Sequence, residues 1–300
     1  KLNESKMSKN LKQISEDLIK KAKWLGATDA EAMVLENKSL SIEVKDQTLE
    51  KIETSNGLDL GVRVFFNSQS ATASISNTTE QAIEEMVSRA IAMARESTPD
   101  EFGGPADKNE ILTHWNEKKF DLYDQNHREL NFENLKDLAL EMENAALEIN
   151  DISQCEGAGF GSNLSDFHLI SSNGFSGGYK KTSFQMFCSA IAGSGSSMER
   201  DYASESRSFF EDLPNGHSVG QLAASRAAER LYPRKPPTGS YPVLFDERIS
   251  NSLIGHLTSA INGTSIARGS SWLLNHINKK ILPETLTLTE DPARPRITSS

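Results

Sequence analysis

Cysteine is almost missing from this chain: Cys155 and Cys188 are the two among 300 residues. Neither belongs to a CxxC pair or has a histidine at metal-ligand spacing. A disulfide framework and a cysteine-rich metal site are therefore excluded, and two buried or half-buried free thiols in strand segments are expected. So low a cysteine content fits a reducing compartment. No apolar run reaches the length of a membrane span, and the opening Lys1-Leu2-Asn3-Glu4-Ser5-Lys6 holds no signal-peptide core. The expected location is the cytoplasm, with no membrane partner. Basic residues are the scarcer charge, 32 against 42 acidic, for a net charge of −10. That balance repels a phosphate backbone, so direct nucleic-acid contact is not expected.

Catalytic signatures are missing too. No HExxH, GxSxG or Walker lysine occurs, nor a GxGxxG after a strand. The run Gly193-Ser194-Gly195-Ser196-Ser197 lacks the Lys-Ser/Thr ending of a phosphate loop and reads as a flexible connection. The six histidines are scattered. His256 alone lies on the apolar face of a predicted helix, seven residues after Ile249 and three after Leu253, and reads as a core histidine. One imidazole without carboxylate or thiolate neighbours makes no metal site.

What is present is a soluble, globular composition, 37% hydrophobic and 25% charged, and an internal echo. Thr54-Ser55-Asn56-Gly57-Leu58-Asp59-Leu60-Gly61 is followed 174 − 57 = 117 residues later by Ser171-Ser172-Asn173-Gly174-Phe175-Ser176-Gly177-Gly178. Asn-Gly tolerates the positive φ of a two-residue hairpin turn. Each copy is flanked by alternating apolar residues and followed by a helix carrying Ser-Arg-Ala, at Ser88–Ala90 and Ser225–Ala227. The pattern predicts an α+β fold: two duplicated strand-hairpin-helix repeats forming antiparallel sheets with flanking helices, with the two Asn-Gly turns in equivalent places.

Along the chain, Leu11, Ile14, Leu18, Ala22 and Leu25 mark a first helix ended by Gly26. Strands are expected at 30–35 and 39–44, with a turn at Asp46-Gln47. Thr78 with Gln81, and Ser218 with Gln221, look like capping boxes opening later helices. Asn131 caps a helix that matches the first one. Residues 193–216 read as an insertion in the second copy. A strand at Tyr241–Phe245, a helix capped by Asp246 and ending at Asn262-Gly263, and a strand at Leu286–Leu288 follow. The expected domains are 1–235, with repeat one to about 98, a linker at 99–110 and repeat two from 111, then 236–300. That last piece has too few strands for its own core and reads as the start of a mostly β domain, cut short.

Four segments carry a resemblance: Tyr241-Pro242-Val243-Leu244-Phe245, Leu253-Ile254-Gly255-His256-Leu257, Ala267-Arg268-Gly269-Ser270-Ser271, and Asp291-Pro292-Ala293-Arg294-Pro295-Arg296. With the twin Ser-Asn-Gly segments, they resemble the PmbA/TldE branch of the TldD/PmbA family, whose members are longer. The resemblance implies a peptidase complex in which a TldD-type partner carries His-Glu-x-x-x-His on the corresponding helix and binds zinc. Here the motif positions fall on Gly255, His256 and Ala260, so catalytic and metal residues are expected to be absent and zinc is expected only in the partner. The implied role is the metal-free half of a paired peptidase acting on short or unfolded peptides, with His256, Arg268, Ser270 and Ser271 lining a peptide channel. A homodimer is the expected assembly in isolation. The alternative is a non-enzymatic, protein-binding regulator of the gyrase-modulator type.

Overall fold

The structure, a computed structural model, describes residues 10–112, 114, 116–291 and 294–297. The described residues divide into two compact units, those up to 232 with 294–297, and 233–291. In the first unit two successive stretches follow one connectivity. Helix α1 (Leu11–Trp24) leads into β1 (Asp29–Lys45), β2 (Thr48–Phe66), β3 (Gln69–Ile75) and α2 (Glu80–Glu96). Helix α3 (Phe132–Leu147) leads likewise into β4 (Ile152–Ser171), β5 (Ser176–Ala192), β6 (Glu199–Arg207) and α4 (Gly216–Glu229). The strands join into one antiparallel sheet ordered β3-β2-β1-β4-β5-β6, so β1 and β4 meet at its centre.

The duplication is real, but it is one of connectivity, and the echoed segments are not equivalent. Asn173-Gly174 does turn between β4 and β5, with Gly174 at φ 111°. Asn56 and Gly57 instead lie inside β2, opposite Lys38 and Asn37 of β1. The first hairpin turns at Asp46-Gln47, both at positive φ (51° and 61°). The physical reason lies in the neighbours of β2. β3 reaches only from Leu60 onward, so Thr54 to Asn56 form an exposed edge that tolerates polar residues without bending.

Other expectations shift in the same way. The strands expected at 30–35 and 39–44 are one strand, β1. Residues 193–216 are no insertion, because they contain β6, the counterpart of β3. Only Asp201 and Ala203 of β6 are buried, and such a charged edge strand lacks the apolar alternation that would announce it. Thr79, not Thr78, caps α2 by accepting from Ala82 N–H. Asn215 caps α4 by accepting from Ser218 N–H, which places Ser218 inside the first turn. Asn131 caps α3 as expected.

At its two ends β1 turns even-numbered residues toward the helices, while Lys38 between them is exposed. Ala30, Ala32 and Val34 join Leu18, Leu60, Val62, Val64, Met86 and Val87 in a cluster under α1 and α2. Ile42 and Val44 join Leu135, Met142, Phe160, Phe184, Met186 and Val219 in a second cluster under α3 and α4. One strand therefore threads both cores. The C-terminal stretch of this unit is held by Arg296, whose guanidinium bonds Asp121 (2.9 Å) and Asp212 (2.9 Å) and lies over the Phe209 ring.

The second unit holds α5 (Glu247–Ile261) and α6 (Gly263–Ala267). Asp246 caps α5, as expected. Among its described residues no β-strand forms, so Tyr241–Phe245 and Leu286–Leu288 are irregular. A strand persists only when its backbone groups find a partner strand, and none is there. Ala260 and Leu273 are its buried hydrophobics, while Val243, Leu244, Trp272 and Ile277 are exposed.

Candidate functional site

The residues singled out from the sequence lie on α5 and just beyond α6. Gly255 and His256 are exposed in this unit, so His256 is not a core residue there, and Ala260 is buried. A Cβ added at Gly255 would meet nothing within 4 Å. Among the described residues no three His, Cys, Asp or Glu side chains gather to hold a metal. The donors that α5 supplies at the three motif positions amount to one imidazole, which does not fit a zinc centre.

Arg268, Gly269 and Ser270 turn out to stop a helix. Arg268 is the C-cap of α6, and Gly269 follows at φ 69°. Gly269 N–H bonds Ile266 O and Ser270 N–H bonds Ser265 O, each at 3.0 Å. This is the paired pattern of a Schellman stop, which needs a residue at ease with positive φ. The serine hydroxyls are engaged locally: Ser270 donates to Ser265 O at 3.2 Å and Ser271 to Ala260 O. Ser271 thus brings the loop against α5 at the third motif position. The Arg268 side chain stays exposed.

A second candidate emerged only from the fold. A cleft of about 790 Å³ opens between α1, the start of α2 and the sheet. Leu11, Ile14, Leu58 and Ile83 give it apolar walls, with Asp17, Glu36, Asp166 and Lys180 at its margins. Lys180 pairs with Asp166 at 3.2 Å and Lys21 with Glu84 at 3.1 Å. Close by, His168 of β4 is gripped on both sides. Its Nδ1 lies 2.7 Å from Ser15 Oγ on α1 and its Nε2 3.2 Å from Ser176 Oγ on β5. Ser15 gives its one hydroxyl proton to Lys12 O (2.9 Å). The network therefore assigns Nδ1–H as donor to Ser15 and leaves Nε2 to accept from Ser176. Burial, reinforced by the Lys12 charge, pushes His168 below the ordinary histidine range, against the opposing pull of Glu16 and Asp166. The sequence offered one signal for this: a histidine set between Phe167 and Leu169 near the end of a strand.

Comparison with known proteins completes the picture. Residues 30–94, 125–231 and 238–300 match, in order, domain 1, the central domain and the C-terminal domain of the PmbA/TldA metallopeptidase family. The chain is 33% identical over 264 residues to Metalloprotease PmbA of Escherichia coli O157:H7 and 32% identical over 264 residues to a Metalloprotease PmbA homolog of Haemophilus influenzae. Each alignment covers 88% of this chain and 58% of the relative, so the chain spans under two thirds of their length. Among solved structures, a candidate modulator of DNA gyrase from Bacteroides thetaiotaomicron superposes with a TM-score of 0.87 at 24% identity, over 95% of this chain and 64% of that one. TldE from Thermococcus kodakarensis superposes at 0.66 and 14% identity, over 87% and 58%. These likenesses establish the fold, and the sequential domain matches establish the lineage: the chain belongs to the PmbA/TldD family of metallopeptidases.

Proposed function

We propose that this chain acts as the PmbA/TldE-like, metal-free half of a two-subunit peptidase, and that a TldD-type partner brings the zinc. One observation carries the reading: on α5 the positions that the family resemblance assigns to two ligands and a base hold Gly255, His256 and Ala260. The relatives named as metalloproteases, and the TldE structure with the same fold, support it. Among its described residues no donor set matches a zinc centre.

The chain's own contribution would be to hold peptide. The exposed Arg268 guanidinium can take a carbonyl or carboxylate at two points. An extended segment can also add to a free sheet edge through main-chain hydrogen bonds, whatever its sequence. In isolation the expected assembly is a homodimer. The test is reconstitution: this chain, a TldD-type subunit, and their mixture are assayed on an unstructured peptide with and without zinc. Cleavage that needs both proteins and zinc supports the proposal. Zinc-dependent cleavage by this chain alone overturns it, and a mixture that neither associates nor cleaves favours the regulator reading. Arg268→Ala should lower cleavage by the mixture while fold and assembly stay intact.

A further inference from the structure

We propose that Cys155 and Cys188 form an oxidisable dithiol, a modification site that closes to an intrachain disulfide on exposure to hydrogen peroxide. The two sulfurs lie 3.7 Å apart across the β4–β5 ladder, and both thiols are free and buried. Their meeting is a product of register. Cys155 pairs with Ala190 and Ala158 with Cys188, so three steps on β4 match two on β5, with Glu156 as the extra residue. Side chains alternate across a strand, and residues 155 and 158 would otherwise point to opposite faces. The bulge turns both inward, and it is what brings Cys155 onto the face that carries Cys188.

Chemistry and access favour one order of events. The two sulfurs share a hydrogen bond that either can donate, and Cys155 also donates to Ser189 O at 3.4 Å. The contact with Cys188 holds the Cys155 thiol below its ordinary range, against burial and the Glu143 charge. The same bond, with burial, pushes Cys188 the other way. Cys155, at the bulge beside the exposed Ser153 and Gln154, is the attacking sulfur, and the wholly buried Cys188 the resolving one. The ladder is broken twice nearby, at Ile152/Gln154 and Cys155/Gly157, and Ser153 and Gln154 are exposed. Such a broken ladder opens locally at low cost and admits a small oxidant.

The Cys155 thiolate attacks one peroxide oxygen, the O–O bond breaks, and sulfenic acid forms while hydroxide takes up the thiol proton as water. The Cys188 sulfur then attacks the sulfenic sulfur, the S–O bond breaks, and a second water leaves with the Cys188 proton. Two thiols lose two electrons, and one peroxide becomes two waters.

The experiment treats the folded chain with hydrogen peroxide, quenches it, and counts thiols after denaturation alongside the intact mass. The expected result is loss of both thiols with a mass decrease of about 2 Da, the two hydrogens removed on S–S formation. A peptide linking residues 155 and 188 should appear, and dithiothreitol should reverse all of it. In Cys188→Ser, Cys155 should stop at sulfenic acid, trapped by dimedone. In Cys155→Ser, Cys188 should stay reduced at the same dose. Two thiols still titrating in the treated parent chain, disulfides found only between chains, or equal reactivity of Cys188 without Cys155 would each overturn the proposal. The parent chain's mass decides the matter even if a variant misfolds.

Discussion

The two repeats share a connectivity, yet their helices meet differently. In the second, α3 and α4 are in close contact through small residues: Ala145, Ala223, Ala224 and Ala227 are buried, and at Gly220 an added Cβ would lie 2.1 Å from Met142 O. In the first, α1 and α2 stand on either side of a cleft and are bridged by Lys21–Glu84. Leu11, Ile14 and Ile83 face that cleft where the second repeat has glycine and alanine at its helix contact. Small side chains let α3 and α4 close on each other, whereas larger apolar ones line the cleft between α1 and α2.

The largest expected effect tests whether the halves are one folding unit. Phe160 is buried among Phe184 and Phe210, with ring centroids 6.4 and 5.9 Å away. Phe160→Ala should cost about 3–5 kcal/mol through lost burial and the cavity left behind. Because β1 runs through both clusters, hydrogen exchange should accelerate under α1 and α2 as well as under α3 and α4. Protection that survives in the first cluster would mean that the repeats unfold independently.

Next comes the helix contact itself. Gly220→Ala places a methyl group against backbone rather than against a yielding side chain, and should destabilise by about 1–3 kcal/mol in urea titrations. A neutral result would show that the spacing of α3 and α4 is not set by Gly220. Smaller again is the bridge across the open half. Lys21→Ala removes a partly exposed pair with Glu84, so its loss should cost about 0–1 kcal/mol and shrink with added salt. A loss as large as that from Gly220→Ala would erase the contrast between the two contacts.

These contrasts also mark what the sequence could and could not disclose. Caps were legible in part: Asn131 and Asp246 stand where expected, while Thr79 and Asn215 take the places expected of Thr78 and Ser218. The periodic cores of α1 and α3 were legible for the same reason, since a helix face is written locally. Asn56-Gly57 misled because the residue pair permits a turn without compelling one. Only the reach of β3, which stops at Leu60, reveals that the segment is an open edge. β6 was missed because its partners, not its own residues, make it a strand. Of the candidate site, the helix was readable. The role of Gly269 in stopping α6 was not, nor was the His168 network, which joins residues 153 positions apart.

That network gives the last and smallest test, since it ties α1 to the central strands where the first repeat is otherwise open. The neutral form of His168 is favoured by burial and by Lys12 in the folded chain. The unfolded histidine titrates near the ordinary value of about 6.5. Between its lowered folded value and that ordinary one, the unfolded chain binds more protons than the folded chain. Stability therefore rises with pH across that window. The contribution is fully present above about pH 6.5 and is lost as pH falls through the folded value. His168→Gln keeps a donor and an acceptor near Ser15 and Ser176 but cannot titrate. Urea titrations at a series of pH values should show a shallower acid-side slope in the variant, with the two proteins differing least above neutrality. Parallel pH profiles would mean that His168 titrates alike in both states, and that its bonds to Ser15 and Ser176 hold α1 without any coupling to protons.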